Sequence, residues 1–202
     1  MTSPIPNSNA THRSGPGRII AGGQVGVEIA ALRAAQALGI PTGGTMPKGF
    51  RTEAGLCPHY AAEYGLQETA FSYLPASLRA NIETADLTLM IYTDKKGPNT
   101  RMARDIIEEI GKPAMTFGKI MPPRLDPFQW AIDVEAEFAP FINVTGGFLA
   151  TPFAQSVPSY TLHVTGTRDP HLEAPVESWL RSVFAAVLQA DSSVTSKEAN
   201  HA

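Results

Sequence analysis

The chain has 202 residues, of which 43% are hydrophobic and 17% are charged, and its formal net charge at pH 7 is −3. This length suits one domain with a sizeable core, and nothing in the composition indicates the basic face or basic run that nucleic-acid-binding proteins usually carry. The single cysteine, Cys57, excludes an intramolecular disulfide, and no segment approaches the roughly 20 apolar residues of a membrane helix. We therefore expect a cytoplasmic protein without a nucleic-acid or membrane partner.

Both ends of the chain are predicted to be disordered. Residues 1–17 are rich in Ser, Pro, Asn and Gly and lack the apolar core of a signal peptide. Residues 191–202 are polar and are also expected to be loose. A single domain is thus predicted over residues 18–190.

The first predicted elements are a strand, a tight turn and a helix. Residues 18–21 form a short apolar run that ends in glycines, and apolar residues then recur at helical spacing over 27–38. Gly39 follows this helix at the position where glycine commonly ends helices. A second short strand is predicted within residues 40–46.

Helices and strands alternate along the rest of the chain. Residues 87–92 are large and show no polar alternation, which is typical of a strand covered on both faces. The other predicted elements are helices over 77–85, 100–110 and about 175–188, and strands over 112–117, 141–144 and 160–164. This alternation predicts an α/β fold with a mostly parallel sheet flanked by helices on both faces. Ligands of such sheets bind beyond the carboxyl ends of the strands.

The first candidate binding segment is the glycine turn between the first strand and helix. Its residues are Gly22, Gly23, Gln24, Val25 and Gly26. Such a turn lets backbone N–H groups approach an anion, and the following helix N-terminus adds a partial positive charge. The spacing is not that of a dinucleotide fingerprint, so a purely structural turn is an equal alternative. We expect Gly23→Val to abolish binding while leaving the fold largely intact.

Glu28 lies in the first turn of the following helix. An acid at this position stabilises the helix dipole, which is the preferred interpretation. The alternative is a hydrogen bond to the ribose or base of a ligand.

Three further loops contain residues that suit a phosphate. Glycine supplies backbone donors, and lysine and arginine supply cations, although exposed loops contain the same residue types. Thr100 suits either a helix N-cap or a phosphate contact. The candidates are Gly44, Lys48, Gly49 and Arg51 in the first loop, Gly97, Asn99 and Thr100 in the second, and Gly166 and Arg168 in the third.

The sequence predicts no catalytic residue and no metal site. The five histidines show no metal-ligand spacing, and one cysteine is too few for a thiolate zinc site. The nucleophile elbow of the α/β-hydrolases is also missing from the sequence.

The candidate segments, taken in order, resemble one known family. The strand and turn over residues 19–28 come first, followed by the glycines and basic residues of 43–51. The later motifs are Glu53, Gly55, Leu66, Glu68, Arg79, Asn81 and the segments 86–89, 97–100, 111–113 and 163–168. Over about residues 18–188 this set resembles the circularly permuted YpsA-like proteins, also described as candidate molybdenum cofactor carriers, in the SLOG group of Rossmann-like domains.

The resemblance implies a Rossmann-like fold that binds nucleotides or their derivatives at the glycine loops. SLOG relatives include phosphoribohydrolases that release cytokinin bases and sensor domains for nucleotide second messengers. The chain departs from the family pattern at Val25 and Glu28, where the family usually has Thr and Asp. A hydroxyl that could contact phosphate is thereby lost at Val25, so the ligand's identity stays open.

The leading functional hypothesis is a carrier or sequestering protein for a phosphorylated, nucleotide-derived ligand such as a signalling nucleotide, without a resident cofactor. One alternative is an N-glycosidic hydrolase of nucleoside monophosphates, with Glu28 and Arg51, or Glu53 and Arg168, as the acid and phosphate contacts. The others are a molybdenum cofactor carrier and an interaction subunit with a vestigial site. Aromatic residues within 128–160 suggest a core and oligomer contact, or a lid that stacks on a base, so a homodimer or homotetramer is expected.

Overall fold

A computed structural model describes residues 16–93, 97–118 and 160–198. Its strands are β1 (Pro16–Ile20), β2 (Thr42–Met46), β3 (Arg51–Thr52), β4 (Gly55–Leu56), β5 (Leu66–Glu68), β6 (Leu87–Tyr92), β7 (Ala114–Gly118) and β8 (Tyr160–Gly166). Its helices are α1 (Val27–Ala37), α2 (Tyr60–Tyr64), α3 (Leu74–Thr84), α4 (Pro98–Ile110) and α5 (Glu173–Glu198), with a 3-10 turn at Pro170–Leu172.

Six strands form one parallel sheet in the order β5-β2-β1-β8-β6-β7. The last strand, β8, pairs with β1 on one side and with β6 on the other. Leu162 of β8 aligns with Ile19 of β1, and Val164 aligns with Leu89 of β6. Because the strands are parallel, the carboxyl ends of β1, β8 and β6 are neighbours at one edge of the sheet. This edge is called the carboxyl edge below.

Helices cover both faces of the sheet. Helices α1 and α5 pack on each other and on one face, where the largest apolar cluster includes Trp179 and Phe184. Helices α3 and α4 enclose a smaller cluster with Met90 of β6. The predicted α/β, Rossmann-like architecture is therefore confirmed.

Two predicted helix ends are confirmed by their geometry. Gly39 lies just beyond α1 with a φ of 69°, and Gly111 follows α4 with a φ of 73°. The Gly111 N–H donates to the carbonyl of Ile107 at 2.9 Å, which satisfies one of the last carbonyls of the helix.

The observed elements differ from the prediction in several places. The short hairpin β3–β4, helix α2 and strand β5 were not predicted, because elements of two to five residues are too short to show a period. Helix α5 continues to Glu198, past the predicted end at residue 188 and into the segment predicted to be disordered. The predicted strand at 141–144 lies outside the described residues. Among the described helices, none is long and apolar enough to cross a membrane.

Candidate functional site

The loops that follow β1, β8 and β6 are joined by hydrogen bonds at the carboxyl edge. Thr167, just after β8, accepts at its carbonyl from the Val27 N–H at 3.2 Å and donates its own N–H to Ile91 at 2.9 Å. Its hydroxyl accepts from the Thr93 N–H at 2.9 Å. Thr167 therefore links the start of α1 to the end of β6, and it fixes the position of the glycine turn that lies between β1 and α1.

Gly166 lies at the end of β8 in very close contact with the neighbouring strand. A Cβ atom at this position would overlap the carbonyl oxygen of Ile91 in β6. The residue is therefore required by packing of the backbone, independently of any ligand.

Glu28 is a buried acid beneath the glycine turn, with 3% of its surface exposed. Its carboxylate accepts from the Gln24 N–H at 3.2 Å and from the Thr165 hydroxyl at 2.8 Å. Burial raises the pKa of Glu28, while the positive charge of Arg168 and these two hydrogen bonds act in the opposite direction. Glu28 thus organises the turn from inside, in addition to lying in the first turn of α1.

The N-terminus of α1 already has an internal anion. The Gly26 N–H donates to a carboxylate oxygen of Glu173 at 3.3 Å, and Arg33 forms an ion pair with the other oxygen of Glu173 at 2.7 Å. The positive end of the α1 dipole is therefore shared with a carboxylate of this chain. This arrangement limits the part that the helix N-terminus itself can take in holding a second anion.

The β3–β4 hairpin lies over the glycine turn and is tied to the carboxyl edge at two points. The buried Gln24 side chain donates from Nε2 to the carbonyl of Arg51 at 3.0 Å. Arg168 donates from Nη1 to a carboxylate oxygen of Glu53 at 3.1 Å. The Nε of Arg168 is buried and has no hydrogen-bond acceptor among the described residues.

The remaining predicted residues of the first loop lie beside β5. Lys48 and Gly49 are exposed, and their N–H groups donate to the Phe71 carbonyl and to the Glu68 carboxylate, both at 2.7 Å. Gly44 is inside strand β2, and the Arg51 side chain is exposed. The Arg51 backbone is joined to the turn, whereas a contact between Arg51 and Glu28, as the hydrolase hypothesis pairs them, is not seen among the described residues.

The second predicted loop leads into α4. Gly97 is the N-cap, Asn99 is exposed, and Thr100 is buried within the first turn of the helix. The suggestion that Thr100 is the N-cap is therefore wrong, because the helix begins at Pro98, whose fixed φ suits a first helical position.

A cavity of about 830 Å³ lies between α3, α4 and the segment after β5. Phe71 and Tyr73 line this cavity, and both residues are about half exposed, at 54% and 55%. None of the predicted site residues lines this cavity; its lining includes Phe71, Tyr73, Arg79, Glu83, Arg101 and Met102.

The ordered set of motifs has a direct counterpart among known proteins. The model of the circularly permutated YpsA SLOG family matches residues 19–146, which include the turn 22–26 and the loops at 43–51 and 97–100. The chain belongs to this family. The segment 163–168, which provides Arg168, lies outside the match.

One solved structure supports the fold of this SLOG protein. The chain is similar to the crystal structure of a candidate molybdenum carrier protein from Syntrophus aciditrophicus SB, with 24% sequence identity and a TM-score of 0.60. The similarity covers 86% of this chain and 96% of that one. A search of curated proteins gives no match.

Buried polar groups continue inward from the edge of the SLOG sheet. His163 of β8 is fully buried, its Nδ1 lies 3.4 Å from the Thr88 hydroxyl, and its Nε2 has no partner among the described residues. Burial lowers the pKa of His163 to about 3, so the ring is neutral at physiological pH. Within the described part of the chain, no cluster of three or more His, Cys, Asp or Glu side chains is arranged to hold a metal ion.

Several residues that shape the site were not predicted from the sequence. Glu173 lies 147 residues from the Gly26 N–H that it accepts, and Thr165 lies 137 residues from Glu28. Local sequence patterns do not predict contacts between residues so far apart. The one related sequence feature is that the segment Thr165 to Arg168 directly follows a predicted strand, as the other candidate loops do.

Proposed function

We propose that this SLOG protein binds a phosphorylated, nucleotide-derived small molecule at its carboxyl edge and acts as a carrier or a sequestering protein. The ligand's phosphate would lie at Arg168, beside the glycine turn and beneath the β3–β4 hairpin. The location follows the general rule for parallel α/β sheets, whose ligands bind beyond the carboxyl ends of the strands.

The observation that carries this proposal is the state of Arg168. Its guanidinium is mostly buried, with 12% of the side chain exposed, yet its buried Nε has no acceptor among the described residues. A buried donor without an acceptor costs free energy, about 1–3 kcal/mol in typical cases. A phosphate oxygen would satisfy this donor, and guanidinium groups bind phosphate through two parallel hydrogen bonds.

The carboxyl edge is a better candidate for phosphate than the cavity between α3 and α4. At the cavity, Arg79 already contacts two acids, Glu109 at 2.5 Å and Glu83 at 3.9 Å, and all three side chains are well exposed. Such exposed pairs are screened by water and contribute little. The cavity therefore offers open, largely apolar walls, whereas the edge offers a preorganised cation.

The solved relative with the same fold is a candidate molybdenum carrier, and a molybdenum cofactor is a second possible cargo for this chain. A phosphate-bearing cofactor would use the same arginine and the same backbone loops. The proposal therefore specifies the phosphate contact and leaves the rest of the cargo to be identified by experiment.

One contact supports N-glycosidic hydrolysis as a second candidate function. The hydrolase hypothesis requires an acid near the ribose and an arginine near the phosphate, and Glu53 and Arg168 are in contact at 3.1 Å. The Glu53 side chain is 43% exposed, however, so it lacks the burial that usually tunes a catalytic acid. Binding without turnover is therefore the preferred function.

Incubation with a panel of nucleoside monophosphates, followed by chromatography, separates the two functions. We expect intact nucleotide to be recovered after the protein is heat-denatured, with no free base. Release of free base that depends on Glu53 would instead establish the hydrolase.

A further inference from the structure

The ion pair between Arg168 and Glu53 joins two side chains in very different surroundings. Their closest atoms, Nη1 and Oε1, are 3.1 Å apart, but the Arg168 side chain is 12% exposed and the Glu53 side chain is 43% exposed. The arginine is thus held by the protein, while the carboxylate reaches it from the solvent side.

When this pair separates, Glu53 is the partner that can move into water at low cost. An exposed carboxylate that leaves its partner is hydrated at once, so the separation costs Glu53 little. Arg168 cannot follow it into water without leaving its buried position. An incoming anion would therefore compete with Glu53 for a cation that stays in place.

The hairpin allows Glu53 to release Arg168 without unfolding. The hairpin is anchored by the Gln24 side chain at the Arg51 carbonyl, 3.0 Å away. Its turn is closed internally, because the Thr52 hydroxyl donates to the Gly55 carbonyl at 3.0 Å and accepts from the Ala54 N–H at 3.1 Å. None of these bonds uses the Glu53 carboxylate, so the side chain is free to rotate while the hairpin stays folded.

Glu53 also leaves part of the guanidinium unused. The described hydrogen bond uses Nη1 alone, whereas the buried Nε remains without an acceptor. A tetrahedral oxyanion that binds the fork through two oxygens would satisfy both groups, which a single carboxylate oxygen does not.

We propose that Glu53 occupies the place of an anionic ligand group on Arg168, so that ligand binding displaces the Glu53 carboxylate from the arginine. This inference rests on the proposed function, since it adds an internal competitor to the same phosphate contact. Glu53 would then select for anionic ligands, because a phosphate would displace its carboxylate and a neutral group would not.

The test compares three single variants of the full chain in titration calorimetry with inorganic phosphate and with AMP, at constant ionic strength. Glu53→Gln removes the competitor, and Arg168→Gln removes the cation. Glu109→Gln is the matched control, because it makes the same charge change at an exposed ion pair with Arg79, away from the carboxyl edge.

We expect Glu53→Gln to bind both probes about fivefold more tightly than the wild type, as the loss of a pair worth about 1 kcal/mol implies. Glu109→Gln should match the wild type, and Arg168→Gln should bind at least tenfold more weakly. Adenosine, which lacks the phosphate, should bind the wild type and Glu53→Gln equally.

The possible failures are distinguishable. If the wild type binds AMP through Arg168 but Glu53→Gln binds equally or more weakly, the competition is wrong and the phosphate site stands. If neither the wild type nor Glu53→Gln binds either probe, or if Arg168→Gln binds as well as the wild type, the phosphate site is wrong as well. Binding by Glu53→Gln alone would support the competition directly.

Discussion

The carboxyl edge and the cavity between α3 and α4 differ in how their polar groups are held. At the edge, Glu28 and Gln24 are buried and each is fixed by a hydrogen bond to a distant part of the chain, and Arg168 is mostly buried. At the cavity, Arg79 pairs with exposed acids, and Phe71 and Tyr73 are half exposed.

This difference shows that an open cavity is not by itself the better candidate site. The polar groups buried at the edge lost their water when the chain folded. Their desolvation therefore adds no further free-energy cost when a ligand binds. Preorganisation of this kind favours the edge, although the cavity has room for a small molecule.

The largest expected effect is at the edge itself. Gly166→Ala should destabilise the protein by about 3 kcal/mol or more, because its Cβ would overlap the backbone of β6, which cannot move without breaking the sheet. Gly39→Ala is the control for close contact: nothing lies within 4 Å of the added atom, so its cost is limited to the strain of an alanine at a φ of 69°. Chemical denaturation measures both, and equal losses would show that the close approach to Ile91 is not real.

His163 predicts a loss of stability on acidification. Its pKa in the folded state is lowered to about 3, below the ordinary value of 6.5. Between these two pH values the unfolded chain therefore binds a proton at this ring and the folded chain does not. The contribution of the neutral ring to the free energy of unfolding is complete above pH 6.5. It is lost as the pH falls below this value, at up to about 1.4 kcal/mol per pH unit.

Denaturation of His163→Gln between pH 5 and 7.5 checks this sign. The variant should lack this part of the pH dependence, whereas His171→Gln, which removes an exposed histidine, should keep it. A His163→Gln protein with the wild-type pH dependence would exclude a buried neutral ring.

Glu28 predicts an effect of the opposite sign. Burial raises its pKa in the folded state above 4.5, so its contribution to stability is present below the ordinary pKa and is lost as the pH rises through the folded value. Glu28→Gln should therefore gain stability relative to the wild type as the pH is raised from 4 to 7. A difference between the two proteins that stays constant over this range would show that Glu28 titrates normally.

The smallest effect is expected at the cavity. Phe71→Ala combined with Tyr73→Ala removes two rings that are about half exposed, so the melting temperature and the affinity for AMP should stay close to those of the wild type. A loss of affinity in this variant with a retained melting temperature would place the ligand at the cavity and reverse the comparison.

Local patterns predicted the parts of the fold that depend on local chemistry. The turn from β1 into α1, the buried strand β6 and the glycine that ends α4 follow from periodicity and from backbone preferences. The place of β8 between β1 and β6 could not be predicted, because it depends on pairing across the whole chain. The same holds for the partners of Glu28 and Gly26, which lie on β8 and α5.

The expectation for Gly23→Val shows where local reasoning fails at the site. The residue has a φ of 65°, and an added Cβ would lie 2.8 Å from Leu66 Cδ1 and 3.2 Å from the Met46 sulfur. A β-branched side chain is disfavoured at this φ, so the variant is expected to be destabilised as well. We therefore expect Gly23→Val to lose stability as well as binding, and Arg168→Gln is the better probe of binding.

The central claim, a phosphate-bearing ligand held at Arg168, is tested most directly by mass spectrometry of the small molecules released from heat-denatured protein. Wild type, Arg168→Gln and Arg101→Gln would be purified in parallel, the last replacing a cavity-lining arginine. We predict the same phosphorylated molecule from the wild type and Arg101→Gln, and at least tenfold less from a folded Arg168→Gln. Equal recovery from Arg168→Gln, or a loss confined to Arg101→Gln, would contradict the account.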